Sequence, residues 1–177
     1  MTAGHYLFGF SGRANRAKWW LLILIQIGAS IAYYIAALML VGTSILSVLA
    51  GGSAEGAVAG AGGSLMLLLL LSFGYVVLMF ITWLAVTVKR LHDRDKAGVW
   101  ILLFAVAPWV CYAIGIAASA GHAGGIGSLF ALVGFGITLW AFIELGCLRG
   151  TVGQNRFGPD PLAYLAYTPA PPPVQPA

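Results

Sequence analysis

Val88-Lys89-Arg90-Leu91-His92-Asp93-Arg94-Asp95-Lys96-Ala97-Gly98 holds six of the fourteen charged residues of a 177-residue chain. Long apolar runs flank it on both sides. It reads as the water-facing hinge between two membrane hairpins, and the rest of the chain arranges itself around it. Composition agrees. The chain is 60% hydrophobic and 8% charged, with a mean hydropathy of +0.94, where a soluble domain carries roughly 25% charge. So little charge does not solvate a globular surface of this size, so the class is an integral membrane protein. The formal charge of +4 does not point to nucleic acid, because the basic residues sit beside apolar runs and form no free basic domain.

Four spans follow, at about 19–41, 65–88, 99–118 and 126–148, each near the roughly 20 residues needed to cross the hydrocarbon. The expected fold is all-α: a bundle of four transmembrane helices in two hairpins, built from residues 1–161. The first span is too long for a signal-peptide core of roughly 7–15 residues and no A-x-A site follows it, so it reads as a retained helix. Tyr6, Phe8 and Phe10 precede it and suit the headgroup layer. Ser11 is the expected cap of a helix beginning at Gly12 or Arg13, which would put Arg13, Arg16 and Trp20 on one face. Gly28, Ala32 and Ala36 make a small-residue stripe for a neighbouring helix, and Gln26 suits an interhelical hydrogen bond. Gly42–Ser64 reads as a flexible Gly/Ala loop, with Ile45–Leu49 extending helix one or dipping into the interface. Pro108 is expected to kink the third span. Gly134, Thr138 and Ala141 share a face of the fourth. Residues 162–177 read as a proline-rich, disordered tail.

Orientation follows from the basic residues. Three precede span one, four lie between spans two and three, and two follow span four, which is the whole stock of nine. The other two loops have none. The positive-inside rule then places both termini and the central loop in the cytoplasm. Cys111 and Cys147 fall at different depths, which argues against a disulfide, and neither has zinc-ligand spacing.

Few residues carry recognisable chemistry. Glu144 is the one acid inside a span, and an intramembrane acid is a functional candidate by default. Arg149 is five residues on and rotated away, so Arg13 or Arg90 is the expected partner. His92-Asp93 offers too few ligands for a metal. Asp93 or Asp95 would instead cap the following helix, with Lys89–Asp93 an i,i+4 pair. Gly153 to Gly158 has phosphate-loop spacing, but Pro159 and Asp160 stand where Lys and Ser/Thr belong, so it reads as a turn held by Asn155 and Asp160. No catalytic residue, metal or cofactor is implied.

Three blocks resemble a known family. Phe10-Ser11-Gly12-Arg13-Ala14-Asn15-Arg16, Lys89-Arg90-Leu91-His92-Asp93, and Gly150-Thr151 with Asn155-Arg156-Phe157-Gly158-Pro159-Asp160-Pro161 are similar, in that order, to the signature blocks of the YhaH/YhaI-like bacterial inner-membrane proteins, a family of unknown function. The resemblance implies a small multi-span inner-membrane protein and brings no activity with it.

All three blocks fall on the cytoplasmic side. The expected site is one polar cluster there: Arg13, Arg16, Arg90 and Arg156 facing phosphate, oriented by Asp93, Asp160 and Glu144, with His92 and Asn155 beside them. The expected function is a non-enzymatic binding or assembly module. Its expected partners are the lipid bilayer, anionic phospholipid headgroups, a partner membrane protein or a second copy in a homo-oligomer, and no nucleic acid. Two other readings stay open: a small transporter or channel subunit, and a membrane enzyme acting on lipid or isoprenoid phosphates.

Overall fold

Lipid offers no water to unpaired backbone groups, so a spanning segment must satisfy them internally, and helices do so. A computed structural model describes residues 2–50 and 53–163; its regular structure is helical, with no strand among those residues beyond an isolated bridge between Asn155 and Gly158. In chain order the helices are α1 (Ala3–Phe8), α2 (Arg16–Leu49), α3 (Ala54–Asp93), α4 (Ala107–Ala120) and α5 (Gly124–Phe142). A π-helical turn, Leu102–Val106, leads into α4, and another, Ile143–Cys147, ends α5. Four segments are long and apolar enough to cross a membrane: Arg16–Thr43, Gly62–Asp93, Leu102–Ala120 and Gly124–Cys147. Their outer faces carry exposed Leu24, Leu38, Leu69 and Phe73; surfaces this apolar need lipid over them.

The chain divides into two units, Met1–Gly9 with Trp20–Val86 and Phe10–Trp19 with Thr87–Ala177. In the first, α2 and α3 run antiparallel and are joined by a ladder of polar contacts. Gln26 donates to the Met79 carbonyl at 2.9 Å and to Thr82 Oγ1 at 3.1 Å. Ser30 meets Tyr75 at 2.5 Å, Tyr33 bonds Ser72, and the rings of Tyr33 and Tyr75 stack at 4.4 Å. Each such bond is worth about 0.6 kcal/mol in a bilayer, with a maximum near 1.7.

In the second unit, α4 and α5 form the other hairpin, and small residues let their backbones approach. A Cβ on Gly127 would lie 2.7 Å from the Gly115 carbonyl oxygen, and one on Gly134 would lie 2.9 Å from the Tyr112 ring. Gly134 and Ala141 are buried, as the sequence face implied. The bend expected at Pro108 takes the form of the π-helical turn just before it, where the Ala107 N–H reaches back to Leu102. The wider turn lets a residue without an N–H enter the helix.

Several sequence expectations are corrected. Gly42–Ser64 is not a loop among its described residues, since α2 continues to Leu49 and α3 starts at Ala54. Ile45–Leu49 therefore extends helix one. The Gly28, Ala32, Ala36 stripe is exposed, and a Cβ on Gly28 would meet nothing within 4 Å; the polar ladder takes the helix contact instead. Both cysteines are free, with Cys111 half-buried and Cys147 exposed. Of the predicted tail, residues 164–177 lie outside the described residues.

Gly127→Val should lower stability by about 1–3 kcal/mol through overpacking of α4 on α5. Gly28→Val should be close to neutral. Thermal unfolding of the detergent-purified protein checks both.

Candidate functional site

The second unit gathers the polar residues. Its first segment, Phe10–Trp19, turns at Gly12, whose φ of +89° favours glycine. The segment pairs with the end of α3 through the Ala14 N–H, which donates to the Lys89 carbonyl at 3.0 Å. The α2 cap is Asn15, whose Oδ1 accepts from the Lys18 N–H at 2.9 Å. The expected Ser11 cap is thereby corrected. Arg13 lies before the helix and shares no helical face with Arg16 and Trp20, because the backbone pairing at Ala14 holds this segment out of helical geometry.

Asp93 is the hub. Arg13 reaches its Oδ1 at 3.1 Å, and Arg90 reaches its Oδ2 at 2.6 Å. The side chains of Arg13, Asp93 and Arg90 are 1%, 3% and 0% exposed. α3 runs on to Asp93. Both Asp93 oxygens go to arginines, which replaces the expected Lys89–Asp93 pair. Two cations against one anion leave an excess positive charge, and backbone carbonyls solvate it. Arg13 donates to the carbonyls of Gly153 at 2.6 Å, Thr151 at 2.5 Å and Gly158 at 3.3 Å. Arg90 donates to those of Leu145, at 2.7 Å, and Leu148. Among the described residues no buried side-chain nitrogen or oxygen lacks a partner.

The last span ends with carbonyls that have no intrahelical donor. Arginines take them: Arg90 those of Leu145 and Leu148, Arg16 that of Cys147 at 3.1 Å, Arg94 that of Arg149. Cations at a helix C-terminus also oppose its dipole. Glu144 sits in the π-helical turn there, 5% exposed. Its partners are Arg94 at 2.9 Å and Lys96 at 3.8 Å, a correction to the expected Arg13 or Arg90. The wider turn changes the face on which Glu144 emerges, and Arg90 is already committed to Asp93. Lys96 also lies 4.2 Å over the Trp100 ring.

The segment after α5 folds back on the end of α3. The Thr151 N–H donates to the Asp93 carbonyl at 2.8 Å. Asn155 donates to the His92 carbonyl and to Thr151 Oγ1, each at 2.9 Å. Asn155 and Asp160 hold the turn: their side-chain oxygens accept from the N–H groups of Phe157 and Leu162 at 2.9 Å. Asp160 also accepts from the Gly153 N–H at 3.0 Å. These backbone donors hold the Asp160 carboxyl below the usual carboxylate range. His92 stacks on Phe157 at 3.9 Å, with Nδ1 3.2 Å from the Gly12 carbonyl. Arg156 pairs with Asp95 at 3.1 Å in the open. Gly150 is obligatory, because a Cβ there would lie 1.9 Å from Asp93 Oδ2.

All nine residues singled out in the sequence thus lie in this unit. Arg13, Arg90 and Asp93 meet directly. His92, Asn155, Arg156 and Asp160 build the turn around them, while Arg16 and Glu144 attach at the end of the last span. Sequence reasoning missed Arg94, Lys96, Arg149, Gly150 and Thr151. Gly150 and Thr151 carried a usable signal, a glycine placed just after the last span within a family-like block. Among the described residues no three His, Cys, Asp or Glu side chains come together as a metal site.

Four spans and one polar cap define a small, multi-pass, all-helical membrane protein. The family model described as "Protein of unknown function (DUF805)" matches residues 7–159, so the chain belongs to the DUF805 family. It is similar to three Escherichia coli K12 proteins. It is 29% identical to "Inner membrane protein YhaH" over 153 residues, 86% of this chain and 87% of that one. It is 31% identical to "Inner membrane protein YhaI" over 155 residues, 86% of each. It is 32% identical to "Uncharacterized protein YiiR" over 161 residues, 90% of each. No solved structure matches the chain. The chain is a multi-pass inner-membrane protein of a family without an assigned function.

Removing one partner from a buried charge cluster costs about 3–5 kcal/mol. Asp93→Asn should therefore destabilise the protein on that scale. Asp95→Asn breaks an exposed pair and should cost less than about 1 kcal/mol. Unfolding of both variants in one detergent checks the contrast.

Proposed function

We propose that this protein is a non-enzymatic binding module whose cytoplasmic cap grips anionic phospholipid headgroups. One observation carries this reading. The arginines divide into two sets by burial. Arg13 and Arg90 are consumed inside the cap by Asp93 and by backbone carbonyls. Arg16 and Arg149 are exposed on it with no carboxylate at bonding distance, while Arg94 and Arg156 are paired with Glu144 and Asp95. The buried set makes a rigid platform, and the exposed set presents guanidinium forks at the end of the spans, where lipid phosphates lie. The positive-inside count puts this surface against the cytoplasmic leaflet, whose anionic lipids attract basic residues by about 1 kcal/mol each.

The polar side chains of the spans support a structural use. Gln26, Ser30, Ser72, Tyr75 and Thr82 are engaged with one another or with the backbone between α2 and α3. Groups so engaged give a transported solute little to bind.

The test is lipid retention by the wild-type protein, purified and exchanged into mixed phosphatidylglycerol and phosphatidylcholine, then examined by native mass spectrometry. The account expects retained phosphatidylglycerol in clear excess over its share of the mixture. Retention in proportion to the mixture would contradict it.

A further inference from the structure

A cavity of about 180 Å³ opens in the cap between the start of α2 and the segment after α5, with Asn15, Arg16, Arg149, Gly150, Thr151 and Asp160 among the residues around it. One water needs roughly 10–15 Å³, and a pocket for a drug-sized ligand has roughly 300–1,000 Å³. The space therefore suits one small polar group and is too small for a nucleotide or a cofactor.

The donors around it are open. Arg149 has its carbonyl taken by Arg94, but its guanidinium makes no hydrogen bond to a described residue. Arg16 gives one Nη1 bond to the Cys147 carbonyl and keeps Nε and Nη2. Asn15 uses its side-chain oxygen on the Lys18 N–H, and its amide donors stay available.

Two carboxylates border the same space; neither bonds Arg16 or Arg149, although Asp160 lies close enough to Arg149 to feel its charge. Asp93 gives its oxygens to Arg13 and Arg90. Asp160 gives its oxygens to the N–H groups of Gly153 and Leu162. Arg13, Arg16, Arg90 and Arg149 stand against Asp93 and Asp160, four positive charges to two negative, so the neighbourhood keeps an excess of two. The start of α2 adds the positive end of a 34-residue helix.

Depth narrows the ligand. Arg16 is the first residue of the apolar segment Arg16–Thr43, and Trp19 and Trp20 follow it at the level where indoles mark the interface. Lipid phosphates occupy that level.

We propose that this cavity is a phosphate site, in which Arg16 and Arg149 hold the two sides of one phosphate group and Asn15 donates a further hydrogen bond. This deepens the headgroup reading and rests on it for the source of the phosphate. A phospholipid headgroup and a soluble phosphate share the chemistry. A guanidinium pair with planar forks fits it better than two ammonium groups would, because each fork grips two oxygens.

The experiment measures phosphatidylglycerol against phosphatidylcholine retained by the full chain, with and without excess inorganic phosphate. It compares wild type, the double variant Arg16→Gln/Arg149→Gln and the control Arg156→Gln. Both changed residues of the double variant are exposed, and its fold is checked by circular dichroism and gel filtration. Should it misfold, Arg149→Gln alone replaces it, since that guanidinium has no hydrogen bond to lose. Wild type and Arg156→Gln should prefer phosphatidylglycerol by roughly tenfold, and the double variant should lose the preference. A preference that persists in the double variant overturns the cavity while leaving the headgroup reading intact. Binding of inorganic phosphate by wild type but not by the double variant, without lipid preference, supports the cavity and overturns the lipid source. Absence of both kinds of binding in wild type overturns the two together.

Discussion

Asp93 accepts one guanidinium from the segment ahead of α2 and a second from its own last helical turn, almost entirely out of water. A buried charge is tolerated only when it is paired and its remaining hydrogen-bonding capacity is filled. That requirement fixes three stretches of chain in one arrangement. Arg13 must approach from one side, Arg90 must stay in register on α3, and the loop after α5 must supply carbonyls. Gly150 has no side chain because the carboxylate occupies the space where one would be. Such a cluster is weak evidence for net stability, since well-packed apolar residues often do as well. It is stronger evidence for a specified geometry, and here it specifies which chain ends meet.

The end of the last span is held by the same chemistry. Its open carbonyls are met by Arg90, Arg16 and Arg94, drawn from two different segments of the chain. Capping is usually local, by glycine or by a nearby side chain. Using arginines from distant sequence makes the helix terminus depend on the tertiary structure. A folded cap and a correctly ended span thus form together, and the turn of Asn155 and Asp160 closes over them.

Much of this was legible in the sequence because lipid leaves few solutions. Runs with at most one charge and the right length gave four spans, and the distribution of nine basic residues leads to the expectation that their tips share one side. The blocks around Arg13, Asp93 and Asn155 pointed to the residues that meet. What escaped was decided by local geometry. Glu144 finds Arg94 because a π-helical turn shifts its direction, and ordinary helical spacing cannot show that turn. The Gly/Ala stretch reads as a loop by propensity, but its described residues are helix up to Leu49 and again from Ala54. The aim of Arg13 and Arg90 was also hidden. Sequence gives a guanidinium's presence, and only the fold shows that its donors turn inward to carbonyls.

The central claim is that Arg13 and Asp93 act as a coupled pair joining the start of α2 to the end of α3. A double-mutant cycle with Arg13→Gln, Asp93→Asn and the combined variant tests it most directly, by equilibrium unfolding in one detergent. The account predicts a coupling energy of about 1.5–3 kcal/mol, the upper part of the range for residues in one ion-pair network. Additivity within about 0.5 kcal/mol would contradict it.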